Sequence, residues 1–166
     1  MGRFIVGVIG AGRASQRDVD NARQLGELIA REGWVVLSGG RSAGVMQAVN
    51  EGAKRVAGSL TIGVLPTDDR DEAAVSPHVD IAVYTGMGNA RNNINVLSSH
   101  VVVACGASGP GTVSEIALAL KAPKPRPVVL LTDDQTAIAF FKNLGGALVT
   151  IASTPAAAIE IIRTLK

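Results

Sequence analysis

Apolar positions along the chain follow two alternating rhythms, short β-branched runs and longer stretches with helical spacing. Residues 3–9 form the first run and end at Gly10-Ala11-Gly12, after which residues 18–31 put Val19, Ala22, Leu25 and Ile29 on one helical face. Ser15 to Asp18 reads Ser-x-x-acid, a signal that starts such a helix. The unit then repeats. A strand is expected over 34–38, a loop at Gly39-Gly40-Arg41-Ser42-Ala43-Gly44 and a helix over 45–56. A third strand, 60–65, is closed by Pro66 and the acidic stretch 67–73. A short strand at 81–84 leads through Thr85-Gly86-Met87-Gly88-Asn89 into a helix over 90–98. Residues 101–105 are the most apolar run, which places them at the middle of a sheet, and Gly106-Ala107-Ser108-Gly109-Pro110-Gly111 follows. Helices over 112–121, 136–144 and 155–165 and strands over 128–131 and 147–151 complete the pattern. No linker, repeat or low-complexity segment breaks it. The alternation predicts a Rossmann-like α/β fold in one domain spanning 1–166, a doubly wound parallel sheet of about six or seven strands sandwiched between helical layers.

Composition agrees with this reading and narrows the partners. Hydrophobic residues make up 47% of the 166 and aromatics only 3%, so the core is aliphatic, as parallel strands covered by helices require. Sixteen Lys and Arg against 14 Asp and Glu leave +2, without the basic stripe and stacking aromatics of a nucleic-acid binder. A single cysteine forms no internal disulfide, the first residues read as strand and loop rather than signal peptide, and no apolar run approaches the roughly 20 residues that span a bilayer. The expectation is a cytoplasmic protein with neither membrane nor polynucleotide partner.

Right-handed crossovers put every strand-to-helix loop on one edge of such a sheet, where ligands bind near the switch point. Four of those loops are rich in glycine, which lets backbone amides approach an oxyanion while the next helix aims its free N–H groups at the same spot. A phosphate-bearing small molecule is the expected guest. Tight turns also need glycine for geometry alone, so one loop by itself says little. The first loop has Ser15 in place of the third glycine of a G-x-G-x-x-G fingerprint, and the second strand ends in Ser38-Gly39-Gly40 where a ribose-binding acid would stand, which disfavours NAD. The Walker G-K-[ST] is missing.

Arg13, Arg41 and Arg91 flank the loops and can hold phosphate oxygens bidentately, or be plain surface charges. Glu115 has two readings: a group in the site, or the acid of a Thr112-Val113-Ser114-Glu115 capping box that starts its helix. Cys105 reads as a small buried hydrophobe, and His78 and His100 have no ligand-spaced partners. No metal-ligand set is visible. The candidate binding residues are Gly10, Gly12, Arg13, Ser38, Gly39, Gly40, Arg41, Ser42, Gly86, Gly88, Arg91, Gly109, Pro110, Gly111, Thr112 and Glu115.

The segment from Ser38 through Met46, with Gly109-Pro110-Gly111-Thr112-Val113-Ser114-Glu115, resembles the lysine-decarboxylase-like, or LOG-like, Rossmann superfamily over nearly the whole chain. Enzymes of that group are phosphoribohydrolases that cleave the N-glycosidic bond of nucleoside 5'-monophosphates, and the resemblance carries their signature arginine and glutamate onto Arg91 and Glu115. The surroundings depart from the enzyme motif. Ala107 and Ser108 stand where it has Pro and Gly, Gly88 where it has Met, and Asn92 where it has Lys. The segment Thr85-Gly86-Met87-Gly88-Asn89-Ala90-Arg91-Asn92-Asn93, with Gly109-Pro110-Gly111-Thr112, is more similar to the molybdenum cofactor carrier proteins of green algae and their bacterial relatives. That resemblance implies a homotetramer that binds the finished cofactor, a phosphate-bearing molybdopterin, protects it without catalysis and hands it to molybdoenzymes. The alternatives are a phosphoribohydrolase using Arg91 and Glu115, and a generic nucleotide-binding module.

Overall fold

The computed structural model describes residues 2–71, 73–107 and 109–166; Ser108, one of the departures from the enzyme motif, lies outside the described residues. Its strands are β1 (Ile5–Ile9), β2 (Val35–Ser38), β3 (Thr61–Leu65), β4 (Ile81–Tyr84), β5 (Val101–Cys105), β6 (Val128–Leu131) and β7 (Val149–Ala152). They interleave with α1 (Gln16–Arg31), α2 (Gly44–Ala53), α3 (Asn92–Ser98), α4 (Pro110–Lys121), α5 (Gln135–Gly145) and α6 (Pro155–Leu165). All seven strands are parallel, in the order β4-β3-β2-β1-β5-β6-β7. The chain steps outward from β1 to β4, then returns to the other side of β1 and steps outward again. The order therefore reverses between β1 and β5, where Val8 pairs with Val103 and Ile9 with Ala104, and the crevice beyond their C-terminal ends is the switch point.

The period of two along each strand divides the core. Val101, Val103 and Cys105 of β5 join Val6 and Val8 under α1, α2 and α6, while Val102 and Ala104 join Ile9 under α3, α4 and α5. Both faces are covered, which is why β5 is apolar at every position and buried throughout. Full burial of each such Val or Ile side chain is worth roughly 1.5–3 kcal/mol before the entropy of ordering is deducted.

The structure bears out the three-layer Rossmann-like fold and adjusts three local expectations. The fourth of the seven strands is β1, and β5 is its neighbour rather than the centre. The helix expected from residue 90 begins as a 3-10 turn at Gly88–Arg91. The third adjustment concerns α4, which starts at Pro110, two residues before the expected start. Proline is well placed there because its ring presets φ and its missing N–H would be unpaired in a first turn anyway.

Candidate functional site

A cleft of about 350 Å³ lies over the C-terminal ends of β1 and β5, at the switch point. Of the residues expected from the sequence, Gly10, Gly12, Arg13, Gly39, Arg91, Gly109, Pro110, Gly111, Thr112 and Glu115 line it together. Ser38, Gly40, Arg41, Ser42, Gly86 and Gly88 are not among its walls. Val8, Ile9, Ala11, Met46, Asn89 and Asn92 complete the lining and were not among the candidate binding residues. Asn89 and Asn92 flank Arg91 on the turn that delivers it, so a helical reading of 88–92 could have found them.

The loops are fastened before any ligand is considered. A Cβ on Gly10 would fall 2.6 Å from Val45 Cγ2, and the Val45 amide donates to the Ala11 carbonyl at 3.2 Å, so the β1–α1 loop is pressed onto the start of α2. The serine of the next loop is internal. Ser38 is buried, and its Oγ accepts from the Gly40 amide at 3.2 Å and from Asn50 Nδ2 at 3.1 Å. Gly40 O accepts from Ser76 N at 2.8 Å, and Ser42 N donates to Ala74 O at 2.7 Å, forming with the Arg41–Val75 bridge a seam to the loop before β4. The Ser38 hydroxyl, the Gly40 backbone and the Ser42 N–H thus serve the scaffold. Gly88 N likewise donates to Pro66 O at 2.8 Å.

The start of α4 is organised differently. Its N-cap is Gly109, at φ 92°, where a side chain would strain the backbone and where no side chain caps the helix. Pro110 has no N–H. The helical ladder begins with Val113 N donating to Gly109 O at 3.1 Å, which leaves the Gly111 and Thr112 amides ahead of it. A Cβ on Gly111 would meet nothing within 4 Å, so the space above this turn is open. No acid lies in the first turn. Among the described residues the Gly111 and Thr112 amides have no acceptor, and they stand with the positive end of a twelve-residue helix at the cleft, the arrangement that receives oxyanions.

Of the two readings of Glu115, the capping box does not form. Thr112 is the third residue of α4, and Glu115 turns toward α3, where its Oε1 accepts from Asn95 Nδ2 at 2.9 Å. Glu115 is 7% exposed, and its burial pushes the carboxyl above the usual range against the opposing pull of Asn95 and Arg91. Burial likewise lowers the Arg91 guanidinium; Glu115 opposes this and Arg41 reinforces it. Arg17, Arg23, Arg31, Arg55 and Arg163 all form ion pairs, but among the described residues Arg13, Arg41 and Arg91 form none. Arg13 and Arg91 reach the cleft walls, and Arg41 is close enough to act electrostatically on Arg91.

The residues set aside at the sequence level have structural places. Cys105 is buried, and its thiol is pushed up by burial and by Asp18, which makes it inert. His100 Nδ1 accepts from the Ile5 amide at 3.0 Å while its ring stacks on Phe4 with centroids 4.8 Å apart. Among the described residues no group of three or more His, Cys, Asp or Glu is placed to hold a metal ion.

The fold has close counterparts in solved structures. The molybdenum cofactor binding protein of the phototrophic bacterium Rippkaea orientalis is 54% identical, with a TM-score of 0.92 and 99% of this chain and 98% of that chain covered. The Moco carrier protein of Chlamydomonas reinhardtii is 48% identical, with a TM-score of 0.89 and the same coverage, 99% and 98%. An uncharacterised protein of Archaeoglobus fulgidus is 44% identical over 119 residues, 72% of this chain and 75% of that protein. The resemblance drawn from the glycine loops is thereby borne out at the level of the whole chain. With the model of the SLOG cluster4 family matching residues 3–159 as well, the chain belongs to that family.

Proposed function

We propose that the protein binds the molybdenum cofactor and carries it without chemical change, seating the terminal phosphate on the start of α4. The observation that carries this reading is a switch-point cleft where, among the described residues, a helix N-terminus without a side-chain cap and arginines without ion pairs converge, in a chain 54% identical to a molybdenum cofactor binding protein. The Gly111 and Thr112 amides and the Thr112 hydroxyl supply donors, and Arg91 supplies charge. Hydrogen bonds of this charge-assisted kind contribute about 1.5–3 kcal/mol each. The cleft opens between α3 and α4 into a hollow of about 660 Å³ that shares Asn89, Asn92, Pro110 and Gly111 with it, which gives room beyond the phosphate. Carriage further implies release to molybdoenzymes, and the proposed setting is cytoplasmic; no helix among the described residues is long and apolar enough to cross a membrane. Assembly into a homotetramer is part of the proposal on the strength of the resemblance, and half-exposed Phe140 and Leu144, one turn apart on α5, offer an apolar surface for it.

The test is anaerobic titration of the purified protein with molybdenum cofactor released from a molybdoenzyme. Saturable binding at one site per chain, and pterin fluorescence after oxidation of protein purified from cells, are expected. No binding at micromolar cofactor would overturn the proposal, and monomer alone in light scattering at that concentration would remove the tetramer.

One observation favours a second reading. Glu115 faces the cleft and holds its proton more tightly than an ordinary carboxyl, near Arg91, instead of capping α4. Those are the two positions that a phosphoribohydrolase would use. Release of free adenine from AMP by the wild-type protein, abolished in Glu115→Gln, would decide for that reading.

A further inference from the structure

Arg91 starts beyond β4 and reaches a cleft centred on β1 and β5, so its side chain passes over the end of β2. Nothing polar holds it there. Among the described residues its guanidinium makes no ion pair and donates no hydrogen bond, and its buried Nε–H lacks an acceptor. The Arg41 charge pushes it away while Glu115 attracts it without touching it. What defines its place is a slot. A Cβ built on Gly39 would lie 2.6 Å from Arg91 Nη1, 2.8 Å from Nη2 and 2.6 Å from Met46 Sδ. Those distances are well inside van der Waals contact, so the guanidinium occupies the space a side chain at 39 would fill.

We infer that Gly39 is a positioning residue for Arg91: its missing side chain, with Met46 as the opposite wall, seats the guanidinium in the anion cleft. The glycine thus serves by admitting an arginine rather than by offering its own amide to phosphate. The three atoms nearest an added methyl all belong to the far ends of flexible side chains, and Gly39 is not among the positive-φ glycines. Alanine there leaves the backbone in place and displaces the arginine.

The inference rests on the cofactor reading only for its binding arm, so two readouts are needed. In wild-type protein with 15N-labelled arginine, the Arg91 Nε–H resonance, assigned with Arg91→Lys, should be protected from solvent exchange. In Gly39→Ala it should merge with the exposed arginines while the melting temperature stays within about 2 °C, a shift corresponding to no more than roughly 1 kcal/mol in a chain of this size. Cofactor affinity should fall about tenfold or more in Gly39→Ala, and the double variant Gly39→Ala/Arg91→Ala should bind no worse than Arg91→Ala alone. Met46→Ala, which widens the slot from its other wall, should weaken binding by a smaller factor and also lose its effect beside Arg91→Ala. A protected Arg91 resonance in Gly39→Ala, or losses that add to those of Arg91→Ala, would overturn the inference. Unfolding of Gly39→Ala would do the same. If the wild type takes up no cofactor, the functional proposal fails while the exchange measurement still judges the slot.

Discussion

The two loops that meet at the switch point resemble each other in sequence and differ in chemistry. After β1, the chain caps its own helix: Ser15 Oγ accepts from Asp18 N at 3.1 Å and donates to Asp18 Oδ2 at 2.8 Å, which places a carboxylate in the first turn of α1. After β5, Gly109 caps nothing, Pro110 and Gly111 carry no donor or acceptor side chains, and the first turn of α4 has no acid. The helices at this edge that follow β6 and β7 are capped too, by Asp134 and Thr154. A glycine-rich loop is therefore not itself an anion site. The helix end it introduces must also be left unsatisfied.

The comparison is broken most severely by making α4 resemble α1. Gly111→Asp puts a carboxylate into open space at the start of the helix, where the dipole tolerates it and folding is unaffected or improved by up to about 1 kcal/mol. Two unit charges about 4 Å apart at an effective dielectric near 20 repel by about 4 kcal/mol. Cofactor affinity should consequently drop more than about a hundredfold while the melting temperature holds. Retained affinity would move the phosphate away from α4.

Gly111→Ala sharpens the same contrast with sterics alone. The added methyl meets no protein atom within 4 Å and replaces a helical glycine, so stability should rise by about 0.5–1 kcal/mol. The methyl also stands where the ligand would approach, and roughly tenfold weaker binding, about 1.4 kcal/mol, is the expected cost. Opposite signs in calorimetric melting and titration are the signature. Equal binding by both proteins would show that no ligand comes close to this turn.

What the sequence disclosed and what it hid follow from the range of the interactions. Strands and helices were legible because burial on both faces of a parallel sheet writes continuous apolar runs, such as 101–105, and because local signals such as Ser15–Asp18 operate within one turn. The role of each glycine was not legible. Gly10 and Gly26 look alike as letters, yet one is pressed on Val45 and the other on the backbone of α2, contacts made only in three dimensions. The same limit applied to Ser38, whose hydroxyl is engaged by Asn50 and the Gly40 amide, and to the backbone N–H of Ser42, which donates to Ala74. Glu115 matched a capping box by spacing, but the helix starts earlier than that spacing implied, and the buried Asn95 claims its carboxyl.

The capped side of the comparison has its own test. Ser15→Ala removes the acceptor for Asp18 N and should cost about 1 kcal/mol, within the roughly 0.5–2 kcal/mol range of such caps. In a chain of this size that lowers the melting temperature by about 2–4 °C. Cofactor affinity should change less than about twofold, because this helix end is already occupied by its own side chains. A larger loss of affinity than of stability would mean that the α1 loop shares the phosphate after all.

The smallest effect concerns how α4 tolerates a carboxyl one turn from the end proposed to receive the phosphate. Burial raises the Glu115 pKa, so over the interval between its ordinary and folded values the folded chain holds a proton that the unfolded chain has released. Stability from this group is therefore fully present below the ordinary carboxylate pKa and is lost as pH rises through the folded value. Glu27 and Glu32, lowered chiefly by hydrogen bonds from Arg31 and Arg163, act in the opposite sense, adding stability above their unfolded pKa that is lost as pH falls through the folded one. A raw stability profile mixes the two. The difference between Glu115→Gln and wild type isolates the buried group, because glutamine keeps an acceptor for Asn95 Nδ2 and has no proton to release. Denaturant melts from pH 4 to 8 should show the variant gaining on wild type as pH rises from the ordinary carboxylate pKa, with the difference level below it. A difference that is flat with pH, or that shrinks as pH rises, would show that Glu115 is ionised at least as readily in the folded protein as in the unfolded one. The start of α4 would then face a full negative charge one turn away, and the contrast with α1 would rest on the missing cap alone.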